Sequence, residues 1–165
     1  MTKLYLFLLS VTVTVIVGCY SFKGISIAPE VKTYYVHPFK NETFSSPATL
    51  DQVTTEELKE KIRKESRLIY NDTEPDVEFV GSITGYEVTA EAPTAGETTS
   101  LNRLTITIRV EYINHQFEDK GWKSSFSYFF NFPGTKNLAD VEDEAIDAVL
   151  TQLMEDVFNK AFTDW

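Results

Sequence analysis

The side chain best placed for covalent chemistry is Cys19, the only cysteine among 165 residues. It closes the string Ile16-Val17-Gly18-Cys19, behind an apolar run over residues 4–17 and a positive charge at Lys3. A thiol there can accept a diacylglyceryl group: the apolar run enters the membrane, and the small Gly18 gives a signal peptidase access to the bond. A lone cysteine in apolar surroundings is more often a buried small side chain. Here, though, a positive residue, a short apolar run and a small residue stand in the order of a cleavable leader. The run falls short of the ~20 residues a transmembrane helix needs; an ordinary secretory leader and a retained anchor are the alternatives. The expectation is a signal peptide over residues 1–18, lipid attachment at Cys19 and a single domain over 19–165, held to a membrane by several palmitate-type acyl chains, since one chain holds only weakly.

Other reactive types are sparse. His37 and His115 have no second ligand at metal spacing, and no cysteine remains for metal or disulfide once Cys19 is acylated. The chain has neither a glycine-rich phosphate loop nor a nucleophile elbow. No cofactor and no enzymatic activity are expected. Removing Lys3 with the leader leaves 14 basic against 25 acidic residues, which excludes nucleic acid as a natural partner and leaves the acyl group, not a polybasic patch, to do the anchoring.

These residues must be carried by a compact fold, and the pattern gives its elements in order. Residues 31–39 read as a strand bracketed by Pro29 and Pro38, residues 40–48 as a polar loop. Leu50, Val53, Leu58, Ile62 and Ile69 recur at roughly helical spacing over residues 50–68, with Lys59, Lys61, Arg63, Lys64 and Arg67 on the remainder. That basic run is either a solvated face suited to the helix C-terminus or a contact for an anionic partner. Residues 77–89 read as a strand whose apolar positions switch from odd (Val77, Phe79, Ile83) to even (Tyr86, Val88), which predicts a bulge near Gly85. Residues 90–100 form a polar loop, long for a hairpin.

Leu104, Ile106, Ile108, Val110 and Tyr112 then alternate with Thr105, Thr107, Arg109 and Glu111, and Trp122, Phe126, Tyr128, Phe130 and Phe132 continue the alternation past a turn at residues 119–121. The outer face of this hairpin would carry Arg103, Arg109 and Lys123 among Thr and Ser, a hydrogen-bonding and modestly cationic surface. Asn137 can cap a final helix with acids in its first turns and a wide apolar stripe. The predicted fold is α+β: a two-layer sandwich of two helices on one face of a four-stranded, mostly antiparallel sheet, in the order β-α-β-β-β-α. The other sheet face is left wet.

Three strings carry a resemblance: Cys19-Tyr20-Ser21-Phe22-Lys23-Gly24-Ile25-Ser26-Ile27, Asn102-Arg103-Leu104-Thr105-Ile106, and Asp156-Val157-Phe158-Asn159-Lys160-Ala161-Phe162 with Trp165. Together they resemble the lipopolysaccharide-assembly lipoprotein E family over nearly the whole mature chain. The resemblance implies an outer-membrane lipoprotein, anchored on the periplasmic side, that plugs the β-barrel lipopolysaccharide-assembly protein D and helps deliver lipopolysaccharide to the outer leaflet. Only Cys19 carries over as a family residue, as the acylation site. Arg103, Arg109 and Lys123 are candidate contacts for lipopolysaccharide or barrel on strand phase alone. An accessory periplasmic lipoprotein of another envelope transport system is the alternative.

Overall fold

The computed structural model describes residues 24–91 and 100–163. Cys19, the leader and most of the 90–100 loop lie outside the described residues. The elements are β1 (Thr33–Val36), β2 (Lys40–Asn41), α1 (Leu50–Glu65), β3 (Ile69–Tyr70), β4 (Val77–Glu91), β5 (Leu101–Asn114), β6 (Trp122–Pro133) and α2 (Glu142–Phe162). They form one sheet in the order β3-β1-β4-β5-β6, with β2 also pairing β4. Among the described residues no helix is long and apolar enough to cross a membrane.

The α+β class and the two helices match the expectation, but the sheet is mixed and six-stranded, not four-stranded and mostly antiparallel. The long strands β4, β5 and β6 pair antiparallel. β1 runs parallel to both β3 and β4, and β2 runs parallel to β4. The physical reason is α1: a helix between strands returns the chain to the end of the sheet from which it left, so the strand that follows runs parallel. The first strand spans Thr33–Val36, less than half the length expected, and the polar loop contains the two-residue β2.

The phase change along β4 is a β-bulge between Ile83 and Gly85. The extra residue returns Tyr86 to the helix side, where its hydroxyl donates to Glu142 Oε1 (2.6 Å) at the start of α2. Farther on, Val88 is exposed despite its phase, although its cross-strand partner Leu104 is fully buried. Close to β2, a Cβ on Gly81 would fall within the ring of buried Phe39, so only glycine admits that packing.

The core lies between the sheet and the helices. α2 contributes Val149, Leu150, Leu153, Val157, Phe158 and Phe162; β5 contributes Leu104, Ile106, Ile108, Val110 and Tyr112. Each large apolar side chain so buried stabilises the fold by roughly 1.5–3 kcal/mol. α1 ends at Glu65, before the expected Leu68. It buries Leu50, Thr54, Thr55, Leu58 and Ile62, while Val53 (40 % exposed) and Ile69 (69 % exposed, in β3) fall outside the stripe expected of them. Thr54 is tolerated inside because its hydroxyl donates to the Leu50 carbonyl (2.7 Å).

Candidate functional site

Both helices pack on one face of the sheet, and the other face is open to solvent. Strand alternation places Arg103, Thr105, Thr107, Arg109 and Glu111 of β5 on it, opposite the buried Leu104–Tyr112 series. From β6 come Lys123, Ser125, Ser127, Phe129 and Asn131. β4 adds Glu78, Val80 and Ser82 before the bulge and Glu87, Thr89 and Glu91 after it. Arg103, Arg109 and Lys123 thus point where strand phase put them.

Their surroundings differ from the expectation of a cationic patch. Arg103 pairs with Glu91 (3.2 Å), donates from Nε to Asn131 Oδ1 (2.9 Å) and lies over the Phe129 ring (4.1 Å). Lys123 pairs with its cross-strand neighbour Glu111 (2.8 Å). Arg109 stands between Ser82 and Ser125 with no acid in ion-pair range among the described residues. Arg109 and Lys123 share one shallow depression with Lys40, Glu42 and Glu111. Arg103 lies six residues up β5, about 20 Å away at strand rise. The face is therefore of mixed charge, because the acids of β4 and β5 occupy the same phase as the cations.

A second cluster at the lower end of this face was invisible in sequence. His37, just past β1, and His115, just past β5, both donate to Glu78, at 2.5 Å to Oε2 and 2.6 Å to Oε1. The bond from His37, reinforced by His115, holds the Glu78 carboxyl below its ordinary range against the opposing effect of partial burial. Beside it Asp76 accepts the backbone N–H groups of Lys32 (2.8 Å) and Thr33 (2.9 Å), the Thr33 hydroxyl and the Gln116 amide. The Lys32 N–H is the chief reason its carboxyl is depressed to about 2. The two carboxylates join β1, the start of β4 and the β5–β6 connection.

The outer edge of the sheet is also part of the site. β6 pairs only with β5 among the described residues, and residues 124–132 carry no charge. Tyr128 (39 % exposed) and Phe129 (44 % exposed) stand side by side at its centre, their rings 5.7 Å apart. Of the β6 aromatics expected to face the core, only Phe132 is fully buried. An uncharged, aromatic edge strand is a surface that proteins normally blunt with charge or cover.

The basic run of α1 does not contribute. Lys59 pairs with Glu56, Lys61 with Glu65 and with Glu155 of α2, and Arg63 and Lys64 with Glu60. Arg67 donates to the carbonyls of Ile27, Ala28 and Val31. Those charges stitch the helix to itself, to α2 and to the N-terminal segment.

Among known proteins, the family model described as lipopolysaccharide-assembly (LptE) matches residues 31–161. No curated protein matches the chain in sequence. A minor lipoprotein from Acinetobacter baumannii superposes with a TM-score of 0.46 at 16% identity, over 79% of this chain and 92% of that one. A Xanthomonas campestris protein of the DUF330 family superposes with a TM-score of 0.52 at 10% identity, over 81% and 87% of the two chains. The latter is a likeness of fold.

Proposed function

The chain belongs to the lipopolysaccharide-assembly family LptE, a family of outer-membrane lipoproteins, and from that premise we propose that it is the lipid-anchored plug of the lipopolysaccharide translocon. On this reading acyl chains on Cys19 hold the domain spanning residues 19–165 against the periplasmic side of the outer membrane. The open sheet face and the β6 edge dock in the lumen of a large β-barrel, the lipopolysaccharide-assembly protein D. The protein assists assembly of that barrel and passage of lipopolysaccharide to the outer leaflet, and performs no covalent chemistry itself.

The observation that carries this reading is the sheet face. Folding needs only one side of an antiparallel sheet covered, yet the other side bears ordered polar and charged side chains and an uncharged aromatic margin, the mixture found in recognition surfaces. Arg109, without an acid partner among the described residues, is the first candidate for a lipopolysaccharide phosphate or a barrel carboxylate. Lys123 and Arg103 join it only by exchanging Glu111 and Glu91 for the new partner.

Affinity purification of the mature protein from detergent-solubilised outer membrane tests the proposal. A large β-barrel should be recovered in stoichiometric amount. Recovery of no barrel, together with intact lipopolysaccharide export after depletion, would overturn it.

A further inference from the structure

We propose that the cavity at the base of the sandwich binds the hydrocarbon chain of a single-chain anionic amphiphile, with its carboxylate or phosphate held between Lys120 and Lys160. The inference goes beyond the plug reading. Only the supply of ligand rests on it, since Ser26 on the cavity wall follows Cys19 by seven residues, a reach of at most about 25 Å from an anchored bilayer.

The cavity is formed where three distant parts of the chain meet: residues 26–31, the last turn of α2, and the connection from β5 to β6. Each part is fixed. The Ser26 N–H donates to the Phe162 carbonyl (2.7 Å), Asn114 Oδ1 accepts from Gln116 and Phe117 (3.0 and 2.8 Å), and the Lys120 N–H closes a 3-10 turn on Phe117 (3.0 Å). Ile27, Val31, Tyr112, Phe117 and Phe162 make the larger, apolar part of the walls, and Ser26, Asn114 and Thr163 a polar part. The polar groups behind them are used internally, as Asn114 also donates to the Tyr112 hydroxyl (3.3 Å). Burial pushes that hydroxyl up to about 12, so the floor stays neutral.

The rim has the opposite character. Four of the five basic residues from Lys59 to Arg67 are paired with glutamate, whereas neither Lys120 nor Lys160 has an acid in ion-pair range among the described residues. Glu118 and Asp119 share the turn with Lys120 and form no ion pair with either lysine. Lys160 instead lies 5.4 Å above the Trp122 ring. In a chain of net charge −10, two ammonium groups with no ion-pair partner among the described residues, beside one largely apolar cavity, complement an anionic head above a hydrocarbon tail. The volume, about 260 Å³, is below the usual range for drug-sized ligands, roughly 300–1,000 Å³. It admits a length of one chain, not the several chains of a lipopolysaccharide.

The test is native mass spectrometry of the full chain, purified in a non-ionic detergent and titrated with oleate or with its uncharged methyl ester. One oleate per chain should bind in a saturable way, with the ester at least tenfold weaker. Lys120→Glu combined with Lys160→Glu should weaken oleate at least tenfold and leave the ester unchanged, since both side chains are exposed and neither supports the core. Ala28→Leu, which narrows the cavity, should weaken both ligands. Absence of a saturable 1:1 adduct, equal binding of acid and ester, or an unchanged double variant would overturn the proposal. Barrel recovery by the double variant separates this result from the plug reading: recovery without oleate binding sinks only the cavity site.

Discussion

The two faces of β5 were made by one strand and obey different rules. On the covered face Leu104, Ile106, Ile108 and Val110 are fully buried on the helix side of the sheet, where α2 packs on β5. On the open face Thr105, Thr107 and Arg109 meet solvent, and their bonds run to neighbours on the same surface, such as Thr107 to Ser127 (3.0 Å). The covered face is set by transfer of apolar surface from water, which tolerates little change in volume. The open face is under no such demand, so the residues there are available for recognition.

That contrast can be broken by substitution. The largest effect should come from the covered face: Ile106→Ala or Phe158→Ala should cost about 2–5 kcal/mol in denaturant unfolding. Thr105→Ala, one residue away on the open face, should change stability by no more than about 0.5 kcal/mol. Equal losses from the two would end the distinction. Next comes Gly81→Ala, which forces the Phe39 ring to move and should cost about 1–3 kcal/mol.

A smaller effect belongs to the margin between the faces. Asp76→Asn removes acceptor capacity for Lys32, Thr33 and Gln116 and should cost on the order of 1 kcal/mol. Because the Asp76 carboxyl is depressed from 3.8 to about 2, its contribution is whole above 3.8 and is lost as pH falls through about 2. Unfolding midpoints across that window should therefore fall less steeply for Asp76→Asn than for the natural chain. The smallest effect on stability should be that of Arg109→Glu, within about 0.5 kcal/mol, with barrel recovery reduced. Unchanged recovery by the folded variant would remove Arg109 from the interface.

What could be read in the sequence follows the same division. A period of two over five positions fixes the faces of β5, and a change of phase along residues 77–89 locates the bulge, because burial on one side must be restored. Two-residue strands such as β2 and β3 have no period to read; their pairing depends on where α1 returns the chain. Val53 has the spacing of a buried residue and is exposed, since spacing along a helix does not reveal where its neighbours stop. On the open face, phase predicts orientation but not partners. Glu91 reaches Arg103 across the hairpin and Glu111 reaches Lys123 across a ladder, and together they turn an expected cationic patch into a mixed one. His37 and His115 meet on Glu78 although 78 positions separate them, a contact that only the sheet brings about.

The most direct test of the docking face is a photo-crosslinking amino acid placed in turn at Thr105, Arg109 and Ser125 on the open face and at Glu144 and Asp156 on α2, in cells. Adducts with a large β-barrel from the sheet positions, stronger than any from α2, are the predicted result. Adducts from α2 alone, or none from the sheet, would contradict it.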